Sequence, residues 1–483
     1  MTVTTLRRLK NYYNSITHRL PPETLVTVAS HLVDDESLTV ATQVCHFWRS
    51  LFLSSPSLWT HLTFGHQNER RALLFLERSK SAPVFVDFKG NSGSREVVEK
   101  ALKGIGHKLA SLQAVDVPFL NELLDQPLPI LKKLDIATSG GLLSVGSPTA
   151  TNPGDPQFRV PNLTHLCFKL ESDHSSSVVA PRIGDGLLGL LRNCPLLEVA
   201  FFRYGESNPD IAFTTDEEST EAVPLHHLRS FTHESPVETI HLGLFNRLSL
   251  RTTCDVSFKT TYSFLLNSWD VAFPPPRNPS YFSDVKKVKI AIHDEGKGST
   301  VVRATFLNAR NTRVSLNRSA KSPPYNNTLW IIEIFLRDLS KMAGSVEILH
   351  FEHCPLISPT PHYSLWQLTE PLKKLGELKT IVLTGRDNTE FFLIDPPRPS
   401  EWLPGVNNLV ICVEPQTDPG ERIEQDVLER VYNIAMERRG SNPLETVTLF
   451  LQNLESGRIE ELKSYVGSVK AHSLEEWVEG GFE

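Results

Sequence analysis

Residues Leu20–Leu62 read LPPETLVTVASHLVDDESLTVATQVCHFWRSLFLSSPSLWTHL. Pro21 and Pro22 stand where a helix can begin, because the first backbone N–H groups of a helix have no partner within it. Leu25, Val28, Ala29 and Leu32 then recur at i, i+3, i+4 and i+7, which predicts one apolar helical face. Asp34, Asp35 and Ser37 interrupt that helix and offer capping oxygens to a second one carrying Leu38, Ala41, Val44 and Cys45. Phe47, Trp48, Leu51 and Phe52 continue the apolar pattern until Pro56 stops it. The stretch therefore predicts about three short helices. A module of roughly 40 residues is too small to bury all these side chains against itself, so either a partner or the rest of this chain must cover the remainder.

The order Leu-Pro-Pro-Glu, apolar helix, Asp-rich break, Val-Cys-x-x-Trp-Arg and Pro-Ser-Leu-Trp resembles an F-box. Leu20-Pro21, Val44-Cys45, Trp48-Arg49 and Pro56-Ser57-Leu58-Trp59 carry the resemblance. It implies binding to a Skp-type adaptor and, through that adaptor, to a cullin scaffold with its RING subunit. The adaptor-contacting residues it implies are Leu20, Pro21, Leu25, Val28, Leu32, Val44, Cys45 and Trp48. His46 and Phe47 depart from the pattern, standing where many members have Arg or Lys. The expected boundaries are a basic arm or helix over 1–19, an F-box over 20–62, and a third region over 63–483.

The chain has 483 residues, with 49 Lys+Arg against 56 Asp+Glu and 40% hydrophobic residues, ample for a sizeable core. Its formal charge of −7 argues against general nucleic-acid binding, which needs a basic surface. No apolar run is long enough for a membrane span and no signal-peptide core is legible, so an intracellular location, cytoplasm or nucleus, is expected. In that setting the sequons at Asn162, Asn317 and Asn326 are chance matches. Cys45, Cys167, Cys194, Cys254, Cys354 and Cys412 lack a Cys-x-x-Cys pair and read as reduced, mostly buried thiols. Within the first nineteen residues Arg7, Arg8, Lys10 and Arg19 are unopposed by acid, and Leu6, Leu9, Tyr13 and Ile16 form a helical stripe. A short amphipathic helix is expected there, with a nuclear-import signal the alternative.

Beyond Trp59 a Pro-x-Leu-x-x-Leu-x-apolar pattern recurs. It is clearest in Pro129–Ile136 and Pro161–Phe168, with looser copies at 194–198, 224–231, 285–292, 346–351, 378–383, 406–411 and 444–449. Each copy reads as a short strand with one buried face, entered from a turn pinned by the leucine three places earlier. Helical patterns over 186–192, 329–339, 363–375 and 423–436 alternate with these strands, which predicts a parallel sheet backed by helices. The expected fold class is α/β, an N-terminal three-helix F-box followed by an irregular leucine-rich-repeat solenoid. A doubly wound α/β domain is the alternative. The Cys-Pro turns at Cys194-Pro195 and Cys354-Pro355 resemble those of F-box leucine-rich-repeat proteins, and the whole format is similar to the expanded F-box sets of mushroom-forming, basidiomycete-type fungi. Gaps near 231–288 and 288–349 imply degenerate repeats or insertions. Loops are expected near 138–158, 207–223 and 273–280, the second strongly acidic.

Catalytic spacings are missing: no Gly-x-Ser-x-Gly, no His-Glu-x-x-His, and Glu295–Thr300 lacks the spacing of a phosphate-binding loop. His226, His227, His233 and His241 form the densest histidine group; polar loop and strand-edge positions are expected, a metal site being the alternative. No cofactor, metal or catalytic residue is therefore assigned, and the chain is expected to be no enzyme. The expected function is the substrate-recognition subunit of an SCF-type cullin-RING ubiquitin ligase, its repeats binding an unknown protein target. The alternative is a non-catalytic scaffold that binds the adaptor without promoting ubiquitination.

Overall fold

The computed structural model describes residues 20–32, 35–65, 68–88, 104–115, 127–138, 160–170, 190–205, 222–235, 247–260, 284–294, 299–310, 312–321, 328–342, 344–353, 366–385, 405–413, 423–452, 456–473 and 476–477, with single positions at 5–7, 10, 123, 188 and 282. The basic arm, Asp34, Cys354, Asn326, His241 and the three expected loops lie wholly or almost wholly outside them. Of the helix expected at 186–192, Leu188, Leu190, Leu191 and Arg192 are described and helical, the three leucines buried. The chain divides into two compact units, Met1–Phe201 with Asp210–Thr214, and Phe202–Pro209 with Thr215–Glu483.

The first unit begins with α1 (Pro22–Ser30), α2 (Asp35–Ala41) and α3 (His46–Leu53), followed by a 3-10 turn at Pro56–Trp59. β1 (His61–Phe64), α4 (Glu69–Arg78), β2 (Val84–Phe88), β3 (Leu109–Val115), β4 (Lys133–Thr138) and β5 (His165–Leu170) come next. β1 to β5 pair in sequence order, all parallel. Trp59 joins the helical module to this sheet region. Fully buried, it donates from Nε1 to the Phe52 carbonyl at 2.8 Å, meets Phe75 of α4 edge-on at 4.8 Å, and lies under the Arg78 guanidinium.

The apolar spacing of the sequence is the spacing of the core. Leu131, Leu134 and Ile136, then Leu163, Leu166 and Phe168, are all buried, the first of each triplet in the turn and the other two on the inner face of the strand. Consecutive turns are tied together through backbone bonds: Thr164 N–H donates to Lys132 O, and Glu198 N–H to Thr164 O. Asn162 Nδ2 adds a bond to the Pro129 carbonyl of the preceding turn, 2.5 Å away. The residues of β6 (Val199–Tyr204) are shared between the two units.

In the second unit β7 (Val223–Leu225) and β9 (Leu248–Leu250) form a small parallel pair. The larger sheet contains β8 (Ser230–Ser235), β10 (Asp255–Thr260), β11 (Val285–Asp294), β12 (Ser299–Asn308), β13 (Arg313–Lys321), β14 (Ile348–Glu352), β15 (Thr380–Thr384), β16 (Asn408–Cys412), β17 (Thr446–Leu451) and β18 (Ser468–Ser473). α5 (Thr328–Met342), α6 (Trp366–Lys373), α7 (Ile423–Arg438) and α8 (Ser456–Leu462) lie between strands of the second half. The spatial order is β8-β10-β13-β12-β11-β14-β15-β16-β17-β18. Every pairing there is parallel except those of β12, which runs antiparallel to both β11 and β13. The expectation of parallel strands throughout is corrected at that point: β12 and β13 fill the gap between positions 288 and 349.

The same three-then-two spacing continues through Val346/Leu349/Phe351, Leu378/Ile381/Leu383, Val406/Leu409/Ile411 and Leu444/Val447/Leu449, all buried. Strand entries are tight. A Cβ on Gly467 would lie 3.0 Å from the Glu445 carbonyl oxygen, so a larger residue there would have to push that backbone back by a few tenths of an ångström. His233 occupies an inner-face position in β8, level with Phe258 of β10. It is fully buried among Phe202, Tyr204, Phe231 and Phe258, and burial pushes its pKa down to about 3. The expectation of polar loop or strand-edge histidines is corrected there: His233 is a core residue of the repeat pattern, while His226 and His227 are exposed in a turn. Among the described residues no helix is long and apolar enough to cross a membrane.

Candidate functional site

Pro21 caps α1 by geometry alone. Its carbonyl accepts from the N–H groups of Thr24 and Leu25, at 3.0 and 3.2 Å, and Pro22 follows at the first helical position. α2 ends at Ala41, so Val44 falls in a turn and Cys45 begins the next helix. The expectation that both belong to the second helix is corrected by this break. Cys45 has extended backbone (φ −156°, ψ 167°), and its Sγ accepts from the Trp48 N–H at 3.4 Å as the N-cap of α3. Arg49 reaches back from α3 to donate through Nε to the Thr42 carbonyl, fixing the angle of the turn. The Val-Cys-x-x-Trp-Arg spacing is thus a capping device: cysteine caps, tryptophan supplies the third-position N–H, and arginine closes onto the end of α2.

The core of the module is Leu25, Ala29, Leu38, Ala41, Phe52, Leu58 and Trp59. Around it the expected docking residues divide. Leu20, Val28, Leu32 and Val44 are exposed by 39%, 53%, 37% and 62%, and Pro21 is exposed with them. Cys45 and Trp48 are half-buried, Trp48 against Phe52 at 5.4 Å. Leu25 is only 2% exposed and points into the module. One sequence stripe splits because Val28 and Ala29 are separated by about 100° around the helix axis, so that the core takes one edge and leaves the other outside. Leu32 lies beyond His31, where the helix has already ended.

Two exposed aliphatic residues of the module escaped the sequence reading, Val40 at 56% and Leu53 at 37%. Their signal was available: each is a large apolar residue off the buried stripe of its own helix. Among the described residues no group of three His, Cys, Asp or Glu side chains could hold a metal. Among the described residues Cys45, Cys167, Cys194, Cys254 and Cys412 form no disulfide, and burial raises the Cys194 and Cys254 thiols to about 12.

The small helical core thus leaves aliphatic side chains on its outside. The family model described as F-box-like matches residues 17–65, so the chain carries an F-box-like domain there. The match covers about a tenth of the chain. No curated protein matches it. An F-box-like domain supports binding to a Skp-type adaptor, and such domains are typically non-catalytic receptor modules.

Proposed function

We propose that this protein is the substrate-recognition subunit of an SCF-type ubiquitin ligase. The F-box-like domain docks on the adaptor, the adaptor joins it to cullin and RING subunits, and the remainder selects a protein target. The observation that carries this reading is the exposure of Val28 and Val44, beside Leu20, Pro21 and Leu32, on a domain of that family. These five residues form the contacting set. Cys45 and Trp48 hold the turn that presents Val44, and Leu25 supports α1 from beneath. The strand units after residue 62 act as stacked leucine-rich repeats, an irregular solenoid whose outward strand positions meet the target. Ubiquitin transfer belongs to the partners, and this chain contributes proximity by raising the effective concentration of a target lysine.

Affinity purification of the full chain from cells tests the proposal. Recovery of adaptor and cullin together, both lost with Leu20→Ala/Pro21→Ala, is expected. Recovery of adaptor without cullin would instead establish an adaptor-bound scaffold that marks nothing for degradation.

A further inference from the structure

In the second unit the outward-facing strand positions line up in two rows across the sheet. One runs Thr232, Ser257, Ser315, Thr305, Lys289, His350, Val382, Val410, Thr448, Lys470. Its neighbour passes through Lys259, Asn317 and Arg303 and ends in Glu352, Thr384, Cys412, Phe450 and His472. On β8, β10, β12 and β13 these positions are polar and at least partly exposed. Over β14 to β16 the same face is closed: His350 is 2% exposed, Val382 0%, Val410 6% and Cys412 1%. Strands with both faces buried need a cover on each.

On the outward face part of that cover is the chain's own segment following β18. Trp477 meets Phe450 at 4.9 Å and His350 edge-on at 6.2 Å, and Glu476 Oε2 lies 2.5 Å from His472 Nδ1. His350 is fixed from the other side by Thr384 Oγ1, 2.7 Å from its Nε2. In sequence Glu475, Glu476 and Glu479 lie beside Trp477, whereas the rows that Trp477 meets contain Lys289, Lys470 and His472. An aromatic anchor thus sits on the Phe450 and His350 rings, with the neighbouring Glu476 carboxylate held by His472.

We propose that the outward face of β14–β17 is a peptide-docking site that this chain occupies in cis through Trp477. It accepts target segments of the same chemistry, an aromatic side chain flanked by carboxylates. The inference rests on the reading of the outward strand positions as the target-binding surface, and it names the class of target. Bound in cis, the segment competes with any target, because a short tether keeps it at an effective concentration of roughly millimolar. For an intrinsic dissociation constant of about 0.1 mM, a free peptide then binds about tenfold more weakly than it would to an open site.

The test is fluorescence anisotropy with a labelled peptide of residues 474–483, titrated with the full-length chain and its Trp477→Ala variant. The variant is expected to bind about tenfold more tightly than the wild type, and a peptide with alanine at 477 is expected not to bind either. Phe450→Ser in the Trp477→Ala background should abolish binding. Equal affinity of the two chains, with melting temperatures showing both folded, would overturn the proposal, as would binding that survives Phe450→Ser. If Trp477→Ala does not fold, saturating peptide on the wild type and on Phe450→Ser decides, equal binding being the refuting result. Adaptor capture by the same chains reads the ligase proposal separately: its failure alongside intact peptide binding would remove the receptor assignment and leave the peptide site standing.

Discussion

Replacing Val28 and Val44 by aspartate separates docking surface from core. The two side chains are 53% and 62% exposed, so covering them with a partner removes a little over half of each from water. Full burial of such a side chain is worth about 1.5–3 kcal/mol, which leaves about 1 kcal/mol each for the interface. The introduced carboxylates add the penalty of a charge pressed against an apolar surface without a partner, at least another 1–2 kcal/mol in total even when partly hydrated. The double variant should therefore lose about 3 kcal/mol of adaptor affinity, roughly a hundredfold in Kd. Its own stability should change by less than about 0.5 kcal/mol, since both positions already face water. Leu25→Ala, at a position 2% exposed, should instead cost about 2–5 kcal/mol of folding stability through the cavity it opens. Isothermal titration with purified adaptor, paired with urea denaturation, measures both quantities. Wild-type affinity in the double variant, or a stability loss matching that of Leu25→Ala, would refute the assignment of these valines to a docking surface.

Three further outcomes are expected. Cys45→Ala should destabilise the helical module by about 1 kcal/mol by removing the cap on the Trp48 N–H, whereas Cys45→Ser should stay near wild type because a hydroxyl caps at least as well; denaturant midpoints decide. Trp59→Ala should cost about 3–5 kcal/mol, read as loss of the cooperative melting transition of the first unit, and a small change there would contradict its place as the link between α3 and α4. His233 and His350 are both held near pKa 3 by burial, so the unfolded chain binds more protons between about pH 6.5 and 3. Stability is accordingly full above pH 6.5 and falls by about 1.4 kcal/mol per pH unit and per histidine as pH drops through that window. His233→Phe should flatten the dependence, and an unchanged slope between pH 7 and 5 would show that this ring is not held neutral.

The inner face of the sheets was legible in the sequence because burial leaves a strict signature: Leu131, Leu134 and Ile136 must be apolar, and so must Val346, Leu349 and Phe351. α5 and α7 were legible for the same reason, at helical spacing. β12 was not, because Ser299–Asn308 alternates like any strand and alternation does not encode direction. His233 was misread because a histidine in a ring of phenylalanines scores as polar until its neighbours from adjacent strands are known. On the docking module Leu25 and Val28 look equivalent in sequence; which of them faces inward depends on where α3 and the 3-10 turn lie. Trp477 is an isolated tryptophan in an acidic stretch, and nothing local tells that it returns to β14 and β17.

The reversal at β12 sets the order in which this fold can be completed. β10 and β13 are neighbours in space, yet β11 and β12 are made between them, and β14 can join only on the far side of β11. A chain emerging from the ribosome thus carries β10 with a raw hydrogen-bonding edge until the whole three-strand inset is ready to close upon it. Growth of the sheet by one neighbouring strand at a time halts there. That inset is a keystone: without β13, everything from β14 onward has no ledge on β10 to rest against.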